Sequence, residues 1–250
     1  MFDWDAINTG PGHTTDALAA DELAAVRGLI TDRYLARLGE LAPALVRLAE
    51  AAGIENYHTL RIPFDHGSSW PKAARLLPAE LLPRFMGMGF FRRVRAVLPS
   101  AEIVPYDTMW RVVRPNQPTD IGPVHADKWF WDAGNGSMPA GYERFKIWVA
   151  VHTEPGANGL CVKSHSHTSD RWKHHFEHKH GVVKPVLDES EEDLNMELLH
   201  LKAGDLVQFH DALLHGGVVN RGTRCRVSIE LTVVYNADEG RAALGTARAA

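Results

Sequence analysis

After Pro99 the chain breaks into short β-branched and aromatic runs separated by glycine, proline and asparagine. The runs are Glu102–Val104, Thr108–Val113, Phe145–His152, Gly159–Val162, Leu198–Leu201, Leu206–Phe209, Gly217–Val219 and Cys225–Val234. Strands this short, with turn signals between them, predict an antiparallel sandwich or barrel, of which the jelly roll is one closed solution.

The first hundred residues have a different texture. From Thr15 to Ala52 apolar residues recur at helical spacing: Leu18, Leu23, Val26, Leu29 and Ile30, then Tyr34, Leu35, Leu38, Leu41, Leu45 and Leu48. Two amphipathic helices are expected, with Asp21 and Thr31 as N-caps and Gly53 as the C-terminal stop. Glu55–Trp70 reads as loop with a short strand at Thr59–Ile62, and a third helical stretch covers Pro78–Val97. The organisation predicted is a single domain over residues 1–250. A helical N-terminal part (1–100) packs on a strand-rich core (101–236), and a C-terminal tail follows (237–250).

Charge narrows the partners. Twenty-seven Lys and Arg stand against 31 Asp and Glu, a formal net charge of −4, so no global basic field draws in nucleic acid or anionic lipid. A small-molecule substrate is expected instead. No apolar run approaches the roughly 18 residues of a bilayer span. The opening Met1-Phe2-Asp3-Trp4-Asp5 lacks the cationic and apolar stretches of a secretory signal, which predicts a cytoplasmic protein. There Cys161 and Cys225 are expected as buried, reduced thiols. Composition sets no oligomeric state.

Fourteen histidines are too many for each to be a ligand, so spacing must select among them. His125 and Asp127 stand at i and i+2. In an extended segment both side chains leave one face, and an imidazole and a carboxylate converge. Ninety residues on comes Gly204-Asp205-Leu206-Val207-Gln208-Phe209-His210-Asp211-Ala212-Leu213-Leu214-His215-Gly216-Gly217, followed by the arginine-bearing run Arg224-Cys225-Arg226-Val227-Ser228. Two histidines and one carboxylate make a facial triad, which leaves adjacent coordination positions open, as non-haem Fe(II) oxygenases require. A closed structural zinc site wants four protein ligands, usually with cysteine, and no suitable cysteine pair exists.

The order His125-x-Asp127, then His215, then Arg226 eleven residues later resembles the phytanoyl-CoA dioxygenase-like family of Fe(II)/2-oxoglutarate-dependent oxygenases. Trp148-Val149-Ala150 and Glu154-Pro155-Gly156-Ala157-Asn158-Gly159-Leu160 add to the likeness, which covers roughly Tyr106 to Asn236. It implies a mainly β fold: a double-stranded β-helix core, a jelly-roll variant of cupin type, with N-terminal helices packed on it. It also implies that His125, Asp127 and His215 hold Fe(II), and that Arg226 binds the distal carboxylate of 2-oxoglutarate. Dioxygen takes the remaining position, and the default outcome is hydroxylation; desaturation, cyclisation and epimerisation share the same start. A planar guanidinium matches a carboxylate with two donors, where lysine does not. Ser228 shares the strand face of Arg226 and is expected to donate to the same carboxylate. Trp148 and Arg111 are further cofactor-pocket candidates, and Arg224 is the reserve for Arg226. Relatives that transfer halide have a small residue in place of the carboxylate, so Asp127 argues against halogenation. Gly217 stands where some relatives have a hydroxyl, and Lys163-Ser164-His165 departs from the family's proline-glycine before Ser-His.

Other readings compete with these. His210 rivals His215 as the distal ligand. His174, His175, His178 and His180 form a cluster that reads as a solvated helix or lid loop rather than a zinc site. Trp129, Phe130 and Trp131 alternate faces if extended, walling a pocket or packing a core. Arg114 reads as a surface residue. Lys128, Trp129, His165 and Arg171 are candidate substrate contacts, and family analogy points to tailoring of specialised metabolites. A cupin-like metal enzyme indifferent to 2-oxoglutarate and a non-catalytic jelly-roll binding protein are the alternatives to the oxygenase.

Overall fold

A computed structural model describes residues 2–134, 136, 138–179 and 182–247. The chain enters through α1 (Trp4–Asn8) and β1 (His13–Ala17), then builds a helical layer. That layer comprises α2 (Ala20–Leu41), α3 (Val46–Ala52), the short turns α4 (His66–Ser69), α5 (Lys72–Arg75) and α6 (Leu82–Met86), and α7 (Gly89–Val97). Strands β2 (Glu102–Ile103) and β3 (Met109–Val113) precede α8 (Asp127–Asp132). Then come β4 (Tyr142–His152), β5 (Leu160–Val162), β6 (His174–Lys179), β7 (Val182–Leu187), β8 (Glu197–Leu198), β9 (Asp205–His210), β10 (His215–Gly217) and β11 (Arg226–Asn236), closed by α9 (Ala237–Ala247).

The pairing is antiparallel throughout. One sheet runs β1-β9-β4-β11-β2, with β3 also pairing β11, and a smaller sheet runs β10-β5-β8. β6 and β7 form a separate hairpin. The period-2 rule of strands explains how both faces are used. On β4 and β11 the odd positions Phe145, Ile147, Val149, Val151, Val227, Ile229, Leu231 and Val233 are buried in one cluster with the helices. The even positions face the smaller sheet, where Trp148 and Ala150 join Leu160, Val162, Val207 and Phe209 in a second core. The helical layer attaches through a stripe on α2 of Val26, Leu29, Ile30, Tyr34 and Leu38. Arg27 adds donation from its guanidinium to the Val151 carbonyl at 3.1 and 3.2 Å.

Several local expectations are corrected. Thr31 caps nothing, since α2 runs unbroken to Leu41, and Asp21 lies in its first turn behind the N-cap Ala19. The break comes at Pro43, whose ring cannot continue a helix. Gly53 does end α3, with φ +79°. Thr15–Ala17 is not helical but belongs to β1, pairing with β9 from His13↔Phe209 to Ala17↔Asp205. An open sheet edge beside two β-branched threonines outweighs local helical periodicity. Ile54–Thr59 is a 3₁₀ turn rather than a lead-in to a strand, and Pro83 and Gly87 divide the Pro78–Val97 stretch. The tail is helical as α9, held where the Trp4 indole N–H donates to the Gly240 carbonyl at 2.9 Å. His174, His175 and His178 lie on the β6–β7 hairpin rather than a helix, and His180 is outside the described residues. Both cysteines are buried. Among the described residues no helix is long and apolar enough to cross a membrane.

Phe90 on α7 is fully buried in the helix–sheet core. Phe90→Ala is expected to cost about 3–5 kcal/mol, the usual penalty for emptying a large aromatic site. Urea unfolding monitored by tryptophan fluorescence checks this.

Candidate metal centre

His125 and His215 are brought together by the backbone. They form an antiparallel bridge outside the named ladders, with His125 N–H donating to His215 O at 3.0 Å and His215 N–H to His125 O at 2.9 Å. Residues opposed in this way project from one face, and the ring centroids lie 4.6 Å apart. The segment is not extended through Asp127 as the spacing suggested. Asp127 opens α8, and a strand-to-helix corner turns its carboxylate back over the two rings. Trp129–Trp131 are therefore helical and do not alternate faces.

Ligand-capable atoms of His125, Asp127 and His215 lie within 4.8 Å of one another. His125 Nε2 is 3.7 Å from Asp127 Oδ1, and His215 Nε2 is 3.5 Å from Asp127 Oδ2. Each ring's Nδ1 meets a carbonyl two residues back, Pro123 at 2.8 Å and Leu213 at 3.0 Å. A carbonyl can only accept, so Nδ1 carries the proton and Nε2 presents its lone pair to the centre, as second-shell orientation of a metal ligand requires. Asp127 Oδ2 is buried and accepts no hydrogen bond. A buried carboxylate facing two imidazole lone pairs, with Lys146 Nζ 3.6 Å from Oδ2 as its nearby cation, is costly without a further cation among the three, so the donor set fits a divalent metal.

The electrostatics agree. Burial pulls His215 down to about 4, which keeps it neutral. Burial alone would raise Asp127, but Lys146 and the two imidazoles hold its carboxyl far below the usual range. His125 is raised: burial lowers it, and the Asp127 carboxylate more than reverses this. An anionic carboxylate and a neutral imidazole are the forms a metal takes up without proton release.

The surrounding pocket is narrow, about 50 Å³. Among its lining residues are Arg111, Asp120, Lys146, Trp148, Arg226 and Glu230. Most of these charges are paired. Arg111 Nε meets Glu230 Oε1 at 2.6 Å, Lys146 Nζ meets Asp107 Oδ2 at 3.0 Å, and Arg114 binds Asp120 at 2.7 Å. Arg226 is not matched by a carboxylate. Its Nη1 donates to the Gly159 carbonyl at 2.7 Å, its Nε is buried without a partner, and it stands 5.8 Å from the Trp148 ring. Ser228 is fully buried with an unpartnered hydroxyl. The Glu154–Leu160 segment has a structural part in this. Asn158 donates to Asn220 at 2.8 Å, and Glu154 Oε1 accepts from the Thr223 and Arg224 amides at 2.9 and 2.8 Å, fixing the loop that carries Gly159 against the start of β11.

The remaining candidates separate. His210 stands outside the triad; its Nδ1 accepts from the Ala212 amide at 3.0 Å. Arg224 is exposed, away from the pocket lining. Arg111 lines the pocket while paired to Glu230, and Arg114 is partly buried rather than a surface residue. Lys128 and Trp129 line a second cavity, whereas His165 and Arg171 line neither; Arg171 lies over the Trp172 ring at 4.2 Å. Sequence reasoning missed Lys146, Glu230, Arg144 and Asp211. The signal for two of them was present, since Arg144 and Lys146 alternate with Phe145 and Ile147 in a strand otherwise apolar, placing two cations on one inward face.

The family model of phytanoyl-CoA dioxygenase (PhyH) matches residues 23–228. No curated protein matches the chain by sequence. Three solved structures are similar to the chain. EvdO2 from Micromonospora carbonacea var. aurantiaca complexed with 2-oxoglutarate is 14% identical, with 93% of this chain and 89% of that chain covered and a TM-score of 0.60. EctD from S. alaskensis with 2-oxoglutarate and 5-hydroxyectoine is 17% identical, with 94% and 76% covered and a TM-score of 0.57. The non-heme alpha ketoglutarate dependent carbocyclase SnoK from nogalamycin biosynthesis is 14% identical, with 94% and 87% covered and a TM-score of 0.53. At these identities the likeness is one of fold, a double-stranded β-helix with flanking helices. With the family model running from within α2 through β2–β10 to the start of β11, the chain belongs to the phytanoyl-CoA dioxygenase family of Fe(II)/2-oxoglutarate-dependent oxygenases.

Proposed function

We propose that this protein binds Fe(II) through His125, Asp127 and His215, takes 2-oxoglutarate against Arg226 and Ser228, and hydroxylates a small molecule. The observation that carries the reading is the triad itself: two imidazoles locked with Nε2 inward around a buried carboxylate whose Oδ2 accepts no hydrogen bond. When bound there, ferrous iron supplies the redox chemistry that couples decarboxylation of the keto acid by dioxygen to oxidation of a substrate C–H bond. The chain's own residues hold and orient. Three protein ligands on one side leave the opposite positions for the keto acid and oxygen.

Charge balance supports a dianionic co-substrate. With Arg111 offset by Glu230, Lys146 by Asp107 and Asp120 by Arg114, the pocket retains Arg226, Asp127 and the metal. Together these leave two positive charges in a buried site, which 2-oxoglutarate neutralises. Burial lowers Arg226 to about 10, still far above neutrality, so the guanidinium stays charged. Its free Nε and the free Ser228 hydroxyl project from one face of β11, as a carboxylate clamp requires. EvdO2 and EctD are solved with 2-oxoglutarate, which supports the same co-substrate here. Hydroxylation is favoured over halogenation because Asp127 fills the position a halide would need.

Anaerobic titration of metal-free protein with Fe(II), then 2-oxoglutarate, is expected to give a visible charge-transfer band saturating at one equivalent. Asp127→Ala should lose both metal and band, while bound iron without any band would favour a metal enzyme indifferent to the keto acid. Arg226→Ala should keep the metal and weaken 2-oxoglutarate by about 3 kcal/mol, over a hundredfold; unchanged keto-acid affinity removes that assignment. Ser228→Ala should cost about 1.5 kcal/mol, roughly tenfold, by the same titration.

A further inference from the structure

Beside the metal pocket lies a second, open cavity of about 710 Å³, in the size range of small-molecule sites. At its base Arg144 Nη2 meets Asp211 Oδ2 at 2.7 Å, with side chains only 12% and 11% exposed. The Arg144 guanidinium lies over the Trp131 ring at 4.5 Å, and its Nε has no acceptor. Asp211 is incomplete as well. Its Oδ1 faces His210 Nδ1 at 3.4 Å, but that nitrogen already accepts the Ala212 amide and so offers a lone pair, not a proton. Burial raises the Asp211 carboxyl to about 6 even with Arg144 beside it. The pair thus presents a carboxylate oxygen short of a donor next to a guanidinium with capacity to spare.

The pair is aligned with the metal centre. Arg144 and Lys146 are two residues apart on the inward face of β4, about 7 Å along the strand, and Lys146 Nζ is 3.6 Å from Asp127 Oδ2. The Lys128 amide, next to the metal carboxylate, donates to the Asp211 carbonyl at 2.9 Å. The two cavities therefore adjoin at the Asp127–Lys128 step, with Asp127 lining the metal pocket and Lys128 the second cavity.

The lining excludes two ligand classes. At the mouth Lys128 and Arg241 are answered by Asp132, Glu143 and Asp170, so there is no excess of cations for a polyphosphate such as a coenzyme A thioester. For a fatty chain the apolar lining, Trp129, Trp172, Tyr142, Tyr235 and Leu244, is interspersed with charged and polar side chains. Resting on the oxygenase reading above, we propose that this cavity is the substrate pocket and that it takes a free α-amino acid, its carboxylate on Arg144 and its ammonium on Asp211 Oδ1. A zwitterion adds no net charge and leaves the Arg144–Asp211 contact in place, closing a ring of alternating charges. A ligand with only one of the two groups leaves one partner short.

The test is tryptophan fluorescence, since Trp129 and Trp172 line the cavity. The twenty L-amino acids are titrated into metal-free protein, and again under argon with Fe(II) and 2-oxoglutarate. At least one is expected to saturate the signal with Kd of about 1 mM or tighter. Its N-acetyl and methyl ester forms should bind at least about tenfold more weakly. Asp211→Asn should weaken the free amino acid about tenfold while leaving the N-acetyl form unchanged, and Arg144→Met should do the same with the ester form unchanged. A purely structural ion pair would not discriminate between the derivatives, and circular dichroism checks that each variant is folded. Saturation by no amino acid, or equal binding of the blocked forms, overturns the proposal. Amino-acid binding without a keto-acid band would instead overturn the oxygenase reading and leave the cavity's assignment standing.

Discussion

Burying charge on the inward face of a sheet is the constraint around which this molecule is arranged. β4 and β11 carry Arg144, Lys146, Arg226 and Glu230 on the side that faces the smaller sheet, while their other side is buried under the helices. A charge removed from water and left unpaired is untenable. Three of the four are therefore met by a group brought from elsewhere, Glu230 by Arg111 from β3, Lys146 by Asp107 from the turn before it and Arg144 by Asp211 from the end of β9, which leaves Arg226 with only the Gly159 carbonyl. The helical layer covers the opposite face of the sheet and buries its odd-numbered side chains.

Within that row the triad is placed by backbone rather than by side-chain packing. The reciprocal amide pairing of His125 and His215 fixes ring spacing before any metal arrives, and two carbonyls fix the tautomers. The Asn158–Asn220 contact plays the same part for Arg226, through the Gly159 carbonyl. Rigid scaffolding of this kind is what lets a site hold open coordination positions without collapsing onto its own ligands.

Much of this was legible in the sequence. Strand texture after Pro99 gave the fold class, and His125, Asp127, His215, Arg226 and Ser228 stood out by order and parity. Legibility failed where a long-range partner decides. β1 forms because β9 offers an open edge, and Asp127 turns inward at a helix start, which spacing alone cannot distinguish from a strand. Lys146 and Asp211 escaped notice because their meaning lies in what stands opposite. Asp107 and Arg144 are tens of residues from them in the chain, and no local pattern records such pairings. The histidine cluster misled in the other direction, since density of ligand-type residues on an exposed hairpin carries no convergence.

The pairing of β1 with β9 also bears on how the chain acquires its shape. The outer strand β1 of the large sheet is made long before β9, the strand whose edge it completes. During synthesis the apolar stripe of α2 must wait while β4 and then β9 and β11 emerge, since the face it covers does not exist until then. Contacts that span nearly the whole chain slow folding and prolong the exposure of apolar surface. Assembly is therefore completed late, and a nascent chain halted before β11 lacks the strand that joins β4 to β2 and β3 and that carries Arg226 and Ser228.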